Sequence, residues 1–204
     1  PGAGIPWAPG AGRLSAPAQP ACTAGASRRA AGRAGGRGQS TAPGAAGGRL
    51  DKFIGDGVMA LFGIERGVAQ GSRSALEAAR QMARSLEELN RSLVHDLPEP
   101  LRIGIGLHSG SVIVGEMGYG PATSLTAIGD AVNTASRLEA LTKDYGVQLI
   151  VSAPLAAHAG ADMTAFTREQ IDVRGRAQAL DIFVVTSALD LPAAAPEEVE
   201  RAAE

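Results

Sequence analysis

The sequence predicts an α+β domain in which helices pack on a β-sheet. Two apolar runs flank an Asp-Gly turn within residues 50–63, which is typical of a β-hairpin. Apolar side chains then recur at helical spacing over 72–93, which predicts an amphipathic helix. Strand and helix patterns alternate over the rest of the chain, as in a fold with helices layered on a sheet.

The elements after the first helix follow from local patterns. Ile103 and Ile105 alternate with Gly104 and Gly106, which predicts a strand over 101–107. We expect the short connection 108–110 to join it to a second strand at 111–115. A helix starting near Asp130 should end close to Gly146, a residue suited to a helix C-cap. The remaining predictions are strands at 147–151, 170–174 and 180–185, and a short helix at 154–159.

The composition divides the chain into three parts. Residues 1–50 contain six Arg and no acidic residue, whereas all 21 Asp and Glu lie after them with 13 Lys and Arg. The first part is dominated by Gly, Ala and Pro and lacks apolar periodicity, so we expect 1–46 to be disordered. An ordered domain is expected over 47–186 and a flexible C-terminal tail over 187–204.

Two interpretations of the N-terminal part remain open. Its residues have GC-rich codons, so an out-of-frame stretch of a GC-rich gene is one explanation. A genuine basic arm that binds nucleic acid or anionic lipid nonspecifically is the other. Specific nucleic-acid binding is not expected, because Trp7 is the only aromatic residue in this part.

Several functional classes are excluded or disfavoured. Cys22 is the only cysteine, so one chain cannot form a disulfide framework, and the three histidines do not form a metal motif. No apolar run has the length of a membrane span. We expect the domain to be cytoplasmic, in a parent protein that could itself be tethered to a membrane.

The segment from Ser124 to Arg137 is the most informative motif. It predicts a short strand, a Gly-Asp turn and the first turns of a helix. Asn133 and Arg137 are four residues apart, so they project from one helical face. A guanidinium and an amide held side by side suit a phosphate and a sugar hydroxyl.

Two motifs carry a family resemblance. Lys52-x-x-x-Asp56 in the hairpin is followed, about seventy residues later, by Thr126-x-x-Gly-Asp-x-Val-Asn-x-x-x-Arg. In order and spacing they resemble the catalytic domain of the class III adenylate and guanylate cyclases, over about 47–186. The resemblance implies a ferredoxin-like sheet with helices and conversion of ATP to cyclic AMP and pyrophosphate, assisted by two Mg²⁺ or Mn²⁺ ions.

The resemblance also implies a role for each matched residue. Asp56 would hold a metal ion, Asn133 would position the ribose, and Arg137 would stabilise charge on the α-phosphate. Lys52 and Thr126 would recognise the base, and the Thr variant favours ATP over GTP. Arg174, in Val-Arg-Gly-Arg, would lie near the triphosphate.

Each of these residues also has a purely structural interpretation. Asp56 can serve turn geometry, Lys52 can be a solvated charge, and Thr126 can be a strand former. Asn133 and Arg137 can be an ordinary polar helix face. Arg174 also suits a plain turn before the last strand.

The resemblance is incomplete at its N-terminal end. The family's first strand, with its metal-binding Asp, and the two helices after it have no counterpart in the sequence, which has no acidic residue before Asp51. In this family the site lies between two domains, so the resemblance implies a homodimer in which Asp56 and the other site residues come from different subunits. Three functions stay open: an adenylate cyclase, a guanylate cyclase, and a degenerate cyclase domain that binds nucleotide or dimerises. A generic phosphate-binding ferredoxin-like domain ranks behind them.

Overall fold

A mixed sheet forms the centre of the molecule, with helices on both faces. The computed structural model describes residues 19–29, 46–54, 57–117, 124–173 and 178–192. The strands are β1 (Gln19–Arg29), β2 (Arg49–Ile54), β3 (Gly57–Phe62), β4 (Arg102–Met117), β5 (Ser124–Ile128), β6 (Leu149–Ser152), β7 (Thr167–Ile171) and β8 (Leu180–Val185). The helices of this described part are α1 (Gly67–Ser92), α2 (Asp130–Tyr145) and α3 (Ala153–Ala159), with a 3-10 turn at Ala188–Asp190.

The sheet has the order β2-β3-β1-β4-β6-β8-β7, and β5 pairs with the far end of β4. Alternate residues of β4 divide between the two faces, as strand geometry requires. Ile105 and Leu107 join the main core with Ala75 of α1 and Leu155 of α3. On the opposite face, Leu138 of α2 packs with residues of β6 and β8. The predicted α+β class agrees with this architecture.

The structure differs from the sequence-based expectation at β1. Residues 1–46 were expected to lie outside the sheet, yet β1 occupies the central position, antiparallel to β3 and to β4. Its register with β4 is continuous from Gln19 opposite Val112 to Arg29 opposite Arg102. Ladder hydrogen bonds come from the backbone, so a strand between two open edges does not require an apolar sequence. Residues 1–18 and 30–45 lie outside the described part of the chain.

Two predicted boundaries change for a physical reason. The strands predicted at 101–107 and 111–115 form one strand, β4, because β1 pairs along both halves and across the connection between them.

The first helix begins at Gly67 rather than near Ser72 and has no side-chain cap at its N-terminus. Its inner face is rich in alanine, and Ala75, Ala78, Ala79 and Ala83 are all buried.

The first part of the predicted flexible tail is docked. Ala188 and Leu191 are buried in the main core. The guanidinium of Arg80, itself buried on α1, donates to the carbonyl oxygen of Pro192 and pairs with Glu77 at 3.3 Å. These contacts correct the expectation of a flexible tail for residues 187–192. The buried guanidinium needs fixed hydrogen-bond acceptors, and the carbonyl oxygen of Pro192 is one of them. Residues 193–204 lie outside the described part.

Helix α2 lies unusually close to β4 because two glycines of the strand face it. A Cβ built on Gly106 would lie 2.3 Å from the backbone nitrogen of Glu139 and 2.4 Å from the carbonyl oxygen of Ala135. A Cβ on Gly104 would lie 2.3 Å from Oγ1 of Thr142. The helix backbone therefore rests directly on the strand at Gly106, and together the two glycines fix the height of the helix above the sheet.

We expect Gly106→Ala to lower the free energy of unfolding by about 2–3 kcal/mol, because its methyl group overlaps helix backbone that cannot turn aside. Urea denaturation of the two proteins measures this difference. Gly146→Ala is the control: its glycine has a φ of +66° but open space around the added Cβ, so about 1 kcal/mol is expected from backbone strain alone. An equal loss in both variants would contradict the close contact.

Candidate active site

A strand–turn–helix unit formed by β5, Gly129 and α2 builds the candidate site. Thr126 lies on β5 opposite Gly115 of β4 and is buried, with 8% of its surface exposed. Gly129 joins the two elements with a φ of 155° and a ψ of 166°. A Cβ at this position would lie 3.0 Å from the carbonyl oxygen of Ser111. The turn is therefore held against β4, and it needs glycine both for its conformation and for its space.

The helix presents the predicted polar pair to solvent. Asn133 and Arg137 are exposed, whereas Thr134 and Leu138 on the inner side are buried. Thr134 adds a hydrogen bond from its Oγ1 to the carbonyl oxygen of Asp130, at 2.8 Å. The predicted common face of Asn133 and Arg137 is confirmed, and the packing beneath it holds both side chains on a rigid support. Such a pair can donate to anionic and hydroxyl oxygens at once.

The remaining predicted site residues are placed only in part. Lys52 lies on β2, with its backbone opposite Met59 of β3, and β2 contacts β5. The strand of Lys52 is thus a neighbour of the strand of Thr126. Asp56 and Arg174 lie outside the described residues. The structure therefore brings Thr126, Asn133 and Arg137 into one unit and sets the strand of Lys52 beside it.

The described residues do not make a two-carboxylate metal site. β1 runs next to β3, with Ala26 opposite Val58. Its sequence, QPACTAGASRR, has no Asp or Glu and ends in Arg28 and Arg29. Among the described residues no three His, Cys, Asp or Glu side chains are grouped as metal ligands. Among the predicted site residues Asp56 is the only carboxylate, whereas the resemblance implies two metal-binding Asp residues.

Sequence reasoning missed the residues that seat this unit. Gly104 and Gly106 lie beneath α2, and Gly129 lies against β4. His108, with 2% of its surface exposed, adjoins Gly110, where an added Cβ would lie 3.2 Å from its Nε2 and 2.9 Å from the Cβ of Ala131. Two glycines at alternate positions of one predicted strand are a detectable signal, since they mark close approach of another backbone.

Electrostatic shifts appear at the other edge of the sheet. A hydrogen bond from the Tyr145 hydroxyl to the Glu169 carboxylate, at 2.6 Å, raises the pKa of Tyr145. The hydrogen bond from Arg168, also at 2.6 Å, lowers the pKa of the Asp181 carboxyl. Both pairs are at the surface and tie β7 to its neighbours, so they concern that edge rather than nucleotide chemistry.

The family of the chain follows from this unit together with a family match. Residues 50–187 match the model of the adenylate and guanylate cyclase catalytic domain. This range contains the hairpin, the strand–turn–helix unit and every predicted site residue. The chain therefore belongs to the class III adenylate/guanylate cyclase catalytic-domain family.

Similar proteins agree with this assignment. The chain is 36% identical over 148 residues to an adenylate cyclase of Anabaena cylindrica, a match covering 69% of the chain and 28% of that protein. It is 34% identical over 140 residues to adenylate cyclase 1 of Rhizobium meliloti, covering 68% and 21%. The chain thus spans about a quarter of these relatives.

Solved structures confirm the fold. The guanylyl cyclase Cya2 superposes with a TM-score of 0.67 at 22% identity, covering 83% of this chain and 92% of that one. The adenylyl cyclase CyaB from P. aeruginosa gives 0.65 at 22% identity, covering 85% and 97%. Within the described residues, no helix is both long and apolar enough to cross a membrane.

Proposed function

We propose that this chain is an adenylate-cyclase-type domain that binds ATP in a site shared by two copies. The observation that carries this proposal is the unit in which buried Thr126 and exposed Asn133 and Arg137 are held rigidly on β4 by close glycine contacts. A helix that cannot shift keeps its donors in place before the substrate arrives, which is the basis of electrostatic catalysis.

The residues divide between the parts of the nucleotide. The Arg137 guanidinium donates to the α-phosphate and the Asn133 amide orients the ribose. Lys52 and Thr126 recognise the adenine edge, an assignment supported by the contact between β2 and β5. Arg174 is assigned to the triphosphate by its motif alone. The adenylate cyclases among the relatives favour ATP over GTP.

Divalent metal chemistry limits the activity of this chain. In the family reaction Mg²⁺ or Mn²⁺ activates the ribose 3′-oxygen and screens the phosphates. Here Asp56 is the one carboxylate among the predicted site residues, and β1, which pairs with β3, adds none. We therefore propose nucleotide binding with little or no turnover for the sequence as it stands, which makes a degenerate, nucleotide-holding domain the second candidate function.

The homodimer is supported by an exposed apolar pair on the β4–β5 hairpin. Ile113 and Ile128 are directly opposite each other in the ladder and are 47% and 56% exposed. Two large apolar side chains side by side on the surface favour burial against a partner. Because the hairpin continues into the unit that carries Asn133, a second copy seated on it would adjoin the nucleotide site.

ATP binding tests the site itself. We expect Arg137→Ala to weaken ATP binding by about 10- to 100-fold, the value of a charge-assisted hydrogen bond, in isothermal titration calorimetry. Arg84→Ala, which removes an exposed arginine of α1, is the matched control and should leave affinity unchanged. Titration with GTP should give weaker binding, and Thr126→Ala should reduce the difference between the two nucleotides. Equal effects of both arginine variants would refute the assignment.

Dimerisation tests the hairpin surface. Ile128→Glu should convert a dimer to a monomer in light scattering after size-exclusion chromatography, because it places a charge in the apolar contact. Val94→Glu is the matched control, since Val94 is 64% exposed but lies after α1, away from the hairpin. A dimer that survives Ile128→Glu would show that the two copies meet elsewhere.

A restored carboxylate tests the explanation for low turnover. Two residues of β1 are the substitution targets, because the strand pairs with β3 and ends in Arg28 and Arg29. Arg28→Asp or Arg29→Asp should raise cyclic AMP formation from ATP and Mn²⁺ at least about tenfold, as expected for completing a metal site. Because successive residues of a strand alternate between its faces, only one of the two substitutions should give this gain. Strong activity of the unchanged chain would overturn the explanation, and no gain in either variant would favour the degenerate domain.

A further inference from the structure

A cavity of about 390 Å³ lies at the opposite end of α2 from Asn133. It is open to solvent on one side and is lined by the last turns of α1, the start of β4, the end of α2 and the segment before β6. Its volume falls in the range of small-molecule sites. Lys143, on its wall, is ten residues after Asn133, or about 15 Å along the helix axis, so the cavity is separate from the candidate nucleotide site.

The wall of the cavity contains a gap in the β-ladder. The Ile105 amide donates to the carbonyl oxygen of Gln148 at 2.8 Å, so its hydrogen-bonding groups point toward β6. The backbone N–H and C=O of Leu101 point the same way. The N–H donates to Oδ1 of Asn90 at 2.8 Å, and the C=O accepts from Nδ2 of Asn90 at 3.0 Å. Ile103 lies between these two positions and shares their direction, because backbone groups alternate along a strand.

The backbone N–H and C=O of Ile103 therefore face the cavity, where no strand pairs with them. β6 begins only at Leu149, opposite Ile105. The neighbours of Ile103 in sequence, Arg102 and Gly104, point their groups toward β1 instead. A backbone donor and acceptor left open at a sheet edge is a template for an extended ligand.

The charge of the cavity selects an anion. Arg102 and Lys143 are exposed cations on its wall, and neither has an ion-pair partner in the described part of the chain. Glu87 is the one carboxylate among the lining residues. Apolar surface is supplied by Leu86 and Val147. The net charge is positive, and the apolar surface suits a short organic body rather than a bare ion.

We infer that this cavity binds a small organic carboxylate that carries an adjacent amide. The ligand's amide N–H donates to the open C=O of Ile103 and one oxygen of its carboxylate accepts from the Ile103 N–H, as a paired strand residue would. The other carboxylate oxygen lies between Arg102 and Lys143. An N-acylated amino acid has this pattern of groups. Nothing in this inference depends on cyclase activity, so its outcome is separate from that of the proposed function.

Hydrogen exchange followed by NMR tests the gap and the ligand together. In the full chain without ligand, the amide of Ile103 should exchange faster than those of Gly104 and Ile105, which have ladder partners. N-acetylglycinate should slow exchange at Ile103 and shift its amide resonance, with a dissociation constant on the order of 1 mM for so small a ligand. N-acetylglycinamide, which is neutral and of equal size, should bind about tenfold more weakly.

Charge variants test the anion selection. The double variant Arg102→Gln with Lys143→Gln should bind both probes equally, and the matched pair Arg84→Gln with Arg91→Gln should keep the preference for N-acetylglycinate. All four positions are exposed, and circular dichroism checks that the fold is retained.

Three results would overturn the inference. The first is an Ile103 amide as protected as that of Ile105 in the free protein. The second is equal binding of the two probes to the unchanged chain. The third is a shift confined to residues outside the cavity wall.

Discussion

The contact between α2 and β4 is the constraint on which the rest of the structure depends. Because neither glycine carries a side chain, the helix backbone meets the strand directly at Gly106, and the Thr142 side chain fills the space beside Gly104. A helix seated in this way cannot rise or rotate without separating two backbones, whereas a side-chain interface can repack. The position of Asn133 and Arg137 is therefore set by the strand on which their helix rests.

Backbone geometry also explains why β1 was not predicted. Pattern-based prediction depends on side-chain periodicity, and a segment of small residues has none. The position between β3 and β4 is defined by the whole sheet, because each of these strands has an edge of backbone groups that needs a partner. β1 pairs with both edges, and its register with β4 is continuous. The same limitation applies to the 108–110 connection, whose strand conformation is imposed by the neighbour rather than by its own residues.

The site was predictable where chemistry is encoded locally. Thr126, Asn133 and Arg137 lie within twelve residues of one another, and their helix, turn and strand follow from short-range signals. Their support was not predicted, because Gly104 and Gly106 meet Ala135 and Glu139 only after the chain has folded back. The docking of residues 188–192 was not predicted for the same reason, because the carbonyl oxygen of Pro192 that accepts from Arg80 is 112 residues away in sequence.

β4 links the two ends of the molecule. Its C-terminal half pairs with β5 and holds the turn at Gly129, while its first residues form the open wall of the cavity. Helix α2 spans the same distance, with Asn133 near one end and Lys143 near the other. Since helix and strand are in backbone contact between these ends, α2 is held as one rigid element along this distance. Any coupling between the cavity and the nucleotide site must therefore reach Asn133 and Arg137 together and leave their spacing from each other unchanged.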